Sequence, residues 1–139
     1  MFKTYCKYAL FLLFSIALFG CNDSFEENLK TRCVQNDFDA CFDLGGAYAA
    51  GYKVKQDTSK SFEFVKIAAE GGHMLGQYNY ASFFESDIIV KKNFETAYVW
   101  YKAASLKGYE KANVKALEIA AILTAEQVER ANAKALVLP

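Results

Sequence analysis

Leu44-Gly45-x-x-Tyr48-x-x-Gly51-x-x-Val54-x-x-Asp57-x-x-Lys60, continuing to Phe64, Ala68-Ala69 and Gly72, is the stretch that decides the fold. Shifted by 36 residues it lies over a second version of itself: Val54 meets Val90, Lys55 meets Lys91, Asp57 meets Asn93, and Phe62 meets Tyr98. Further along, Phe64 meets Trp100, Ala68 meets Ala104 and Gly72 meets Gly108, while upstream Leu44, Gly45 and Tyr48 fall on Tyr80, Ala81 and Phe84. A period of this length marks stacked supersecondary units.

Each unit reads as two helices. Over residues 38–50, Cys41, Leu44, Gly45 and Tyr48 recur at i, i+3, i+4 and i+7, the spacing of one buried helical face, and Gly51 ends the run. A second helix starts from Asp57 as N-cap, carries Phe64, Ala68 and Ala69, and stops at Gly71-Gly72. The same grammar recurs over residues 73–86 and 93–106, closing at Gly108. Alanine and glycine at fixed positions allow close helix approach, with the aromatic rings Phe62, Phe64, Tyr98 and Trp100 filling the core beside them. A further first helix follows over 109–123. Thr124-Ala125-Glu126-Gln127 then has the form of a capping box, opening a last helix that runs to about Leu136 and covers the open end.

These residues resemble the Sel-one-like repeat, a relative of the tetratricopeptide repeat. The likeness covers residues 37–72 and 73–108; the second copy is looser, with Asp87 standing where the first has Gly51. The resemblance implies an all-α right-handed solenoid of antiparallel helix pairs with a C-terminal capping helix over 109–139. It also implies that the first helices line a concave, protein-binding surface. The spacing Cys33-x7-Cys41 is similar to the cysteine-rich branch of the family. There a disulfide ties the second helix of one unit to the first helix of the next, which makes residues 24–32 an orphan second helix within the segment 21–36.

The amino terminus has a different character. Lys3 and Lys7 with no acid precede an almost purely apolar run over residues 8–19, a basic region followed by a hydrophobic one, as in an export signal. Such a run would make a helix of roughly 18 Å, against a bilayer core of about 30 Å. Leu18-Phe19-Gly20-Cys21 is similar to a bacterial lipobox, with Phe19 bulkier than usual. The expectation is a signal peptide over 1–20 and Cys21 as the palmitate-bearing, lipid-anchored first residue of an envelope protein. The domain would then lie in the periplasm, attached to the inner or the outer membrane, and its acyl chains would hold it to the bilayer durably. With Cys6 lost and Cys21 lipidated, Cys33 and Cys41 remain, and two thiols in an oxidising compartment pair. On one continuous helix their Cα atoms would lie about 12 Å apart, beyond disulfide reach, so a turn at Asn36-Asp37 is required.

Composition narrows the function. Removal of the first 20 of 139 residues leaves one domain's worth of chain. The 16 basic and 16 acidic residues balance over the whole, and loss of Lys3 and Lys7 tips the remainder slightly acidic, with charges interspersed. That pattern does not suit nucleic acid. No catalytic constellation is legible: no serine after residue 20 has a lysine three positions on, as serine β-lactamases require. His73 is the sole histidine and reads as a helix start, and Glu26-Glu27 and Glu126/Glu129 read as solvated faces. Neither a metal site nor a cofactor is expected. An enzyme acting on β-lactams or peptidoglycan is the alternative, because some cysteine-rich relatives are described in those terms.

The leading reading is a protein-protein interaction module with an unidentified protein partner, and specifically an inhibitor or immunity protein for a secreted toxin. Two rows 36 residues apart, which the repeat itself does not fix, are the candidate contact surface: Asp43, Asn79 and Lys115, and Ala47, Phe83 and Ile119. Phe83 is the expected anchor, as aromatic residues in central positions carry much of an interface's energy.

Overall fold

A computed structural model describes residues 25–139; the expected signal peptide and Cys21 lie outside the described residues. The description opens in a helix over residues 25–34, α1. It continues with α2 (Phe38–Ala50), α3 (Thr58–Glu70), α4 (Met74–Ser86), α5 (Phe94–Leu106), α6 (Glu110–Ala120) and α7 (Ala125–Ala135), and the described residues contain no strand. The fold is an all-α helical-repeat solenoid, as the 36-residue period requires.

The helix starts follow from capping chemistry. The side chains of Asp37, Asp57, His73 and Asn93 each accept a hydrogen bond from a backbone N–H three residues on, satisfying one of the orphan donors of the first turn. Thr124 and Gln127 form the full reciprocal capping box. Gly51 closes α2 in the left-handed region at φ 69°, a conformation that glycine adopts without a Cβ clash. Asp87 takes the equivalent place after α4 with φ 56°, and its carboxylate accepts from Lys92 N–H, so the shared geometry survives the change of residue.

Packing proceeds from helix to neighbouring helix along the chain, α2 on α3, α3 on α4, α4 on α5 and α5 on α6. Gly45 shows why a residue without a side chain recurs at such contacts: a Cβ there would lie 2.7 Å from Cγ2 of Val65. Between the two repeats Gly76 plays the same part, where a Cβ would stand 3.0 Å from both the Cβ of Ala68 and the backbone nitrogen of Ala69. Around these contacts Leu44, Tyr48 and Tyr101 are fully buried. Tyr98 is buried, whereas Phe62, Phe64 and Trp100 are only partly so.

The capping helix α7 packs on α5. Ala131 and Ala135 are buried there, and Tyr98 donates its hydroxyl to Asn132 Oδ1 at 2.9 Å. Beyond α7 the chain returns to the middle of the array. The fully buried Gln77 donates through Nε2 to the carbonyl oxygen of Pro139 at 2.7 Å and to that of Ala69 at 3.4 Å.

Charge also ties α7 to α5. Arg130 donates to both carboxylate oxygens of Glu95, at 2.9 and 2.7 Å, and Lys134 lies 3.4 Å from the same group. Arg130 foremost, with Lys134, holds the Glu95 carboxyl down to about 2, from an ordinary 4.5. A depressed carboxylate contributes stability above its unfolded value and loses it as the folded group is protonated. The expected outcome is that this contribution is complete above about pH 4.5 and disappears as pH falls toward 2. Acid titration of thermal stability should therefore be steeper for the native chain than for Glu95→Gln in this window, and equal slopes would refute the assignment.

Candidate functional site

On each first helix the repeat fixes which side chains are spent on packing. Ala40, Leu44 and Ala47 of α2 are buried, as are Ala112, Ala116 and Ile119 of α6, and Leu44 and Ala47 share a cluster with Leu29 of α1. The matching residues of α4 are Gly76, Tyr80 and Phe83, all turned toward α3: Gly76 abuts Ala68 and Ala69, while Phe62 meets the ring of Tyr80 at 5.4 Å and that of Phe83 at 5.1 Å.

This arrangement corrects half of the expected contact surface. Ala47, Phe83 and Ile119 form the row that packs each unit on the preceding second helix. Ile119 is 3% exposed inside the core of the last unit, and Phe83 is half-buried with its ring edge-on to Phe62. The physical reason is the neighbour each side chain meets: Phe83 lies against Phe62 of α3, and Ile119 lies in one cluster with Tyr98 and Val99 of α5. Phe83→Ala therefore removes packing between units, and its role as a binding anchor is withdrawn.

The other row has a different setting. Asp43 is exposed, and Asn79 and Lys115 are half-buried, on three successive first helices at one register position. Lys115 is held in place by two carboxylates, Glu85 at 3.6 Å and Glu118 at 3.3 Å. Hydrogen bonding to Glu118, with the nearby charge of Glu85, raises its ammonium above the ordinary value, so it stays charged. Glu85 in turn accepts from the hydroxyl of Tyr101, a phenol that burial and this carboxylate push upward. The row thus runs from an exposed acid on α2, through a neutral amide on α4, to a buttressed lysine on α6.

Beside Asp43 a groove of about 370 Å³ opens between α1 and α2, lined by Phe25, Leu29, Asp43, Gly46, Ala47 and Tyr52. Gly46 forms part of its wall. A Cβ at Gly46 would meet nothing within 4 Å, unlike one at Gly45, so packing does not explain a glycine that costs a helix interior roughly 0.5–1 kcal/mol against alanine. Sequence reasoning missed this groove; the signal was the second of two adjacent mid-helix glycines, left over once Gly45 had been assigned to helix contact.

The remaining candidates have structural occupations. His73 caps α4 through Nδ1, which accepts from Gly76 N–H at 2.9 Å, and its ring stacks on Phe42 at 4.5 Å with Nε2 3.3 Å from Asp39. Cys33 and Cys41 are joined in a disulfide, their Cα atoms 4.8 Å apart. It links α1 to α2 across a turn in which Asn36 takes φ 65°. Among the described residues no cluster of three His, Cys, Asp or Glu side chains could hold a metal ion, and no helix is long and apolar enough to cross a membrane.

Comparison with known proteins gives the fold its relatives. The profile described as Sel1 repeat matches residues 38–73 and 75–109. A solved structure of a protective antigen present in uropathogenic Escherichia coli strains, displaying an SLR fold, superposes with a TM-score of 0.71 at 22% identity, over 79% of this chain and 24% of that one. A Sel1 repeat protein from Oxalobacter formigenes superposes with a TM-score of 0.63 at 22% identity, over 66% of this chain and 37% of the other. The chain therefore spans about a quarter to just over a third of the length of these structures. No curated protein matches it.

Proposed function

The chain belongs to the Sel1 repeat family, and from that premise we propose that it is a lipid-anchored envelope protein whose first-helix surface binds a protein partner. The observation that carries the binding reading is the row Asp43, Asn79 and Lys115: polar side chains repeated at one register position on α2, α4 and α6, outside the core, one of them braced by two carboxylates. A rigid array of this kind presents its side chains without first having to be ordered, which lowers the entropic cost of association. The specific version is inhibition of a secreted toxin, with the anchor at Cys21 holding the module where the toxin arrives.

The test has two arms. Labelling of cells with radioactive palmitate should mark the native chain and fail for Cys21→Ser; labelling that survives the substitution ends the anchor reading. For binding, the full chain should capture an envelope protein that Asp43→Lys and Lys115→Glu each lose, with affinity falling on the order of tenfold or more while helical circular dichroism is unchanged, since reversal of a charge juxtaposes like charges. Protection of cells against a toxin encoded beside this chain would support the immunity version. Equal capture by the native chain and both variants would remove the row from the interface.

A further inference from the structure

The outward side of α6 carries an exposed apolar strip among charged residues, and the repeat explains why. Each first helix has a second packing face, directed at its own second helix. In α2 this face includes Gly45 against Val65 of α3; in α4 it is Tyr78, Ala81 and Glu85 against α5, with Tyr78 5.2 Å from Tyr101 and Glu85 accepting from its hydroxyl. The residues at those positions are Val114 and Leu117 of α6 and Ala121 just after its end. Among the described residues no second helix packs along them, and Val114 is 48% exposed and Leu117 64% exposed. The connection is responsible. Seven residues, 51–57 and 87–93, lead from first to second helix in the two full repeats, whereas 121–124 is four residues, and α7 is routed onto α5 instead of along α6. The apolar strip continues into a cleft of about 580 Å³ between the end of α6 and α7, whose lining includes Ala120, Leu123 and Val128.

We propose that this face is a self-association surface, on which α6 of two copies pairs antiparallel about a two-fold axis. Two observations select a second copy as the occupant. The first is the inequality of the two ends. The exposed side of α1 carries Glu27, Asn28, Thr31 and Arg32, with Val34 as the one large apolar side chain at its end, so stacking one copy's α1 on another's α6 would set a mainly polar surface against an apolar strip. Meeting through two α6 faces sets apolar against apolar and closes the assembly instead of extending it. The second is charge. Lys111 and Glu118 flank the strip on the same side, two turns apart with Val114 between them, and Glu118, 3.3 Å from Lys115 on its own helix, would share its carboxylate between that lysine and the second copy. A two-fold antiparallel pairing brings Lys111 opposite Glu118 of the second copy and, by symmetry, Glu118 opposite Lys111 of the second copy, the arrangement of flanking charges in antiparallel helix pairs.

The test uses the full chain in density-matched detergent, followed by sedimentation across a concentration series. The native chain should associate to a dimer, and Leu117→Asp should be monomeric with native helical circular dichroism and a nearly native melting temperature, because Leu117 is mostly exposed and has little packing to lose. Lys111→Glu and Glu118→Lys should each weaken association on the order of tenfold, since each turns two attractive pairs repulsive. Mixed together, these two variants should form a heterodimer, for all four facing charges are then complementary. A native chain that stays monomeric overturns the proposal, as does association that Leu117→Asp leaves intact. A mixture that associates no better than its components overturns the two-fold pairing. A fall in melting temperature for a monomeric Leu117→Asp would show instead that another part of the same chain covers the face.

Discussion

Tyr101→Ala should lower the stability of the fold by roughly 3–5 kcal/mol, read as a shift in the denaturant midpoint with an unchanged slope. Tyr101 is 1% exposed and stands at the junction of α4, α5 and α6, its ring beside that of Tyr78. Removal of the ring empties a site enclosed by three helices, which cannot collapse without moving one of them. The hydroxyl adds a second loss, for it donates to Glu85, the carboxylate that also braces Lys115. Tyr101→Phe separates the two effects. It keeps the ring and leaves Glu85 one donor short, for a cost of about 1–2 kcal/mol. A midpoint for Tyr101→Phe as low as that of Tyr101→Ala would show that the hydrogen bond, not the packing, holds the junction. An unchanged midpoint for Tyr101→Ala would place the ring outside the cooperative core.

Paired replacement of Cys33 and Cys41 by alanine should cost roughly 2–3 kcal/mol from chain entropy alone, because the crosslink closes a short loop in the unfolded chain. Both sulfur atoms are also buried, Cys41 completely, in a cluster with Ala68, Phe38, Phe42 and Phe64, so the smaller alanine side chains add a packing loss. The effect should be local in structure though global in stability: α1 is held to α2 by the disulfide and by Leu29, with Glu26 accepting from Tyr48. Hydrogen exchange of α1 should accelerate more than that of α5. Uniform acceleration would mean that the N-terminal helix and the rest open as one unit.

Most of the helix boundaries were legible because they depend on local chemistry. Asp57, Asn93 and Thr124 announce helix starts by side-chain capping, Gly51 and Gly71-Gly72 announce stops, and the 36-residue register pairs the two repeats. Two things were not legible. One was the rotation of the first helices: Phe83 and Ile119 match no fixed position of the repeat, yet both face the preceding second helix, since burial depends on which neighbour arrives and on which side. The other was the route of α7. The capping box gave its start, but its packing on α5 follows from the four-residue connection before it and from Arg130 and Lys134 meeting Glu95, a pairing across 35 and 39 positions that no local pattern contains.

The return of the chain to Gln77 changes what kind of cooperativity this array can have. A repeat array that is bonded only between neighbours opens like a row of independent links, fraying from either end at a cost set by one interface at a time. Here α7 grips α5 across the intervening α6, and Pro139 reaches the start of α4, where a Cβ on Gly72 would come within 3.1 Å of it. The last helix cannot peel away without breaking its contacts to α5 and, through Pro139, to the start of α4, and α6 is enclosed in a loop whose two ends are both fastened. The C-terminal half is thereby converted from a linear chain of interfaces into a closed circuit, which should unfold in one step, while the N-terminal end owes its resistance to fraying to a covalent bond.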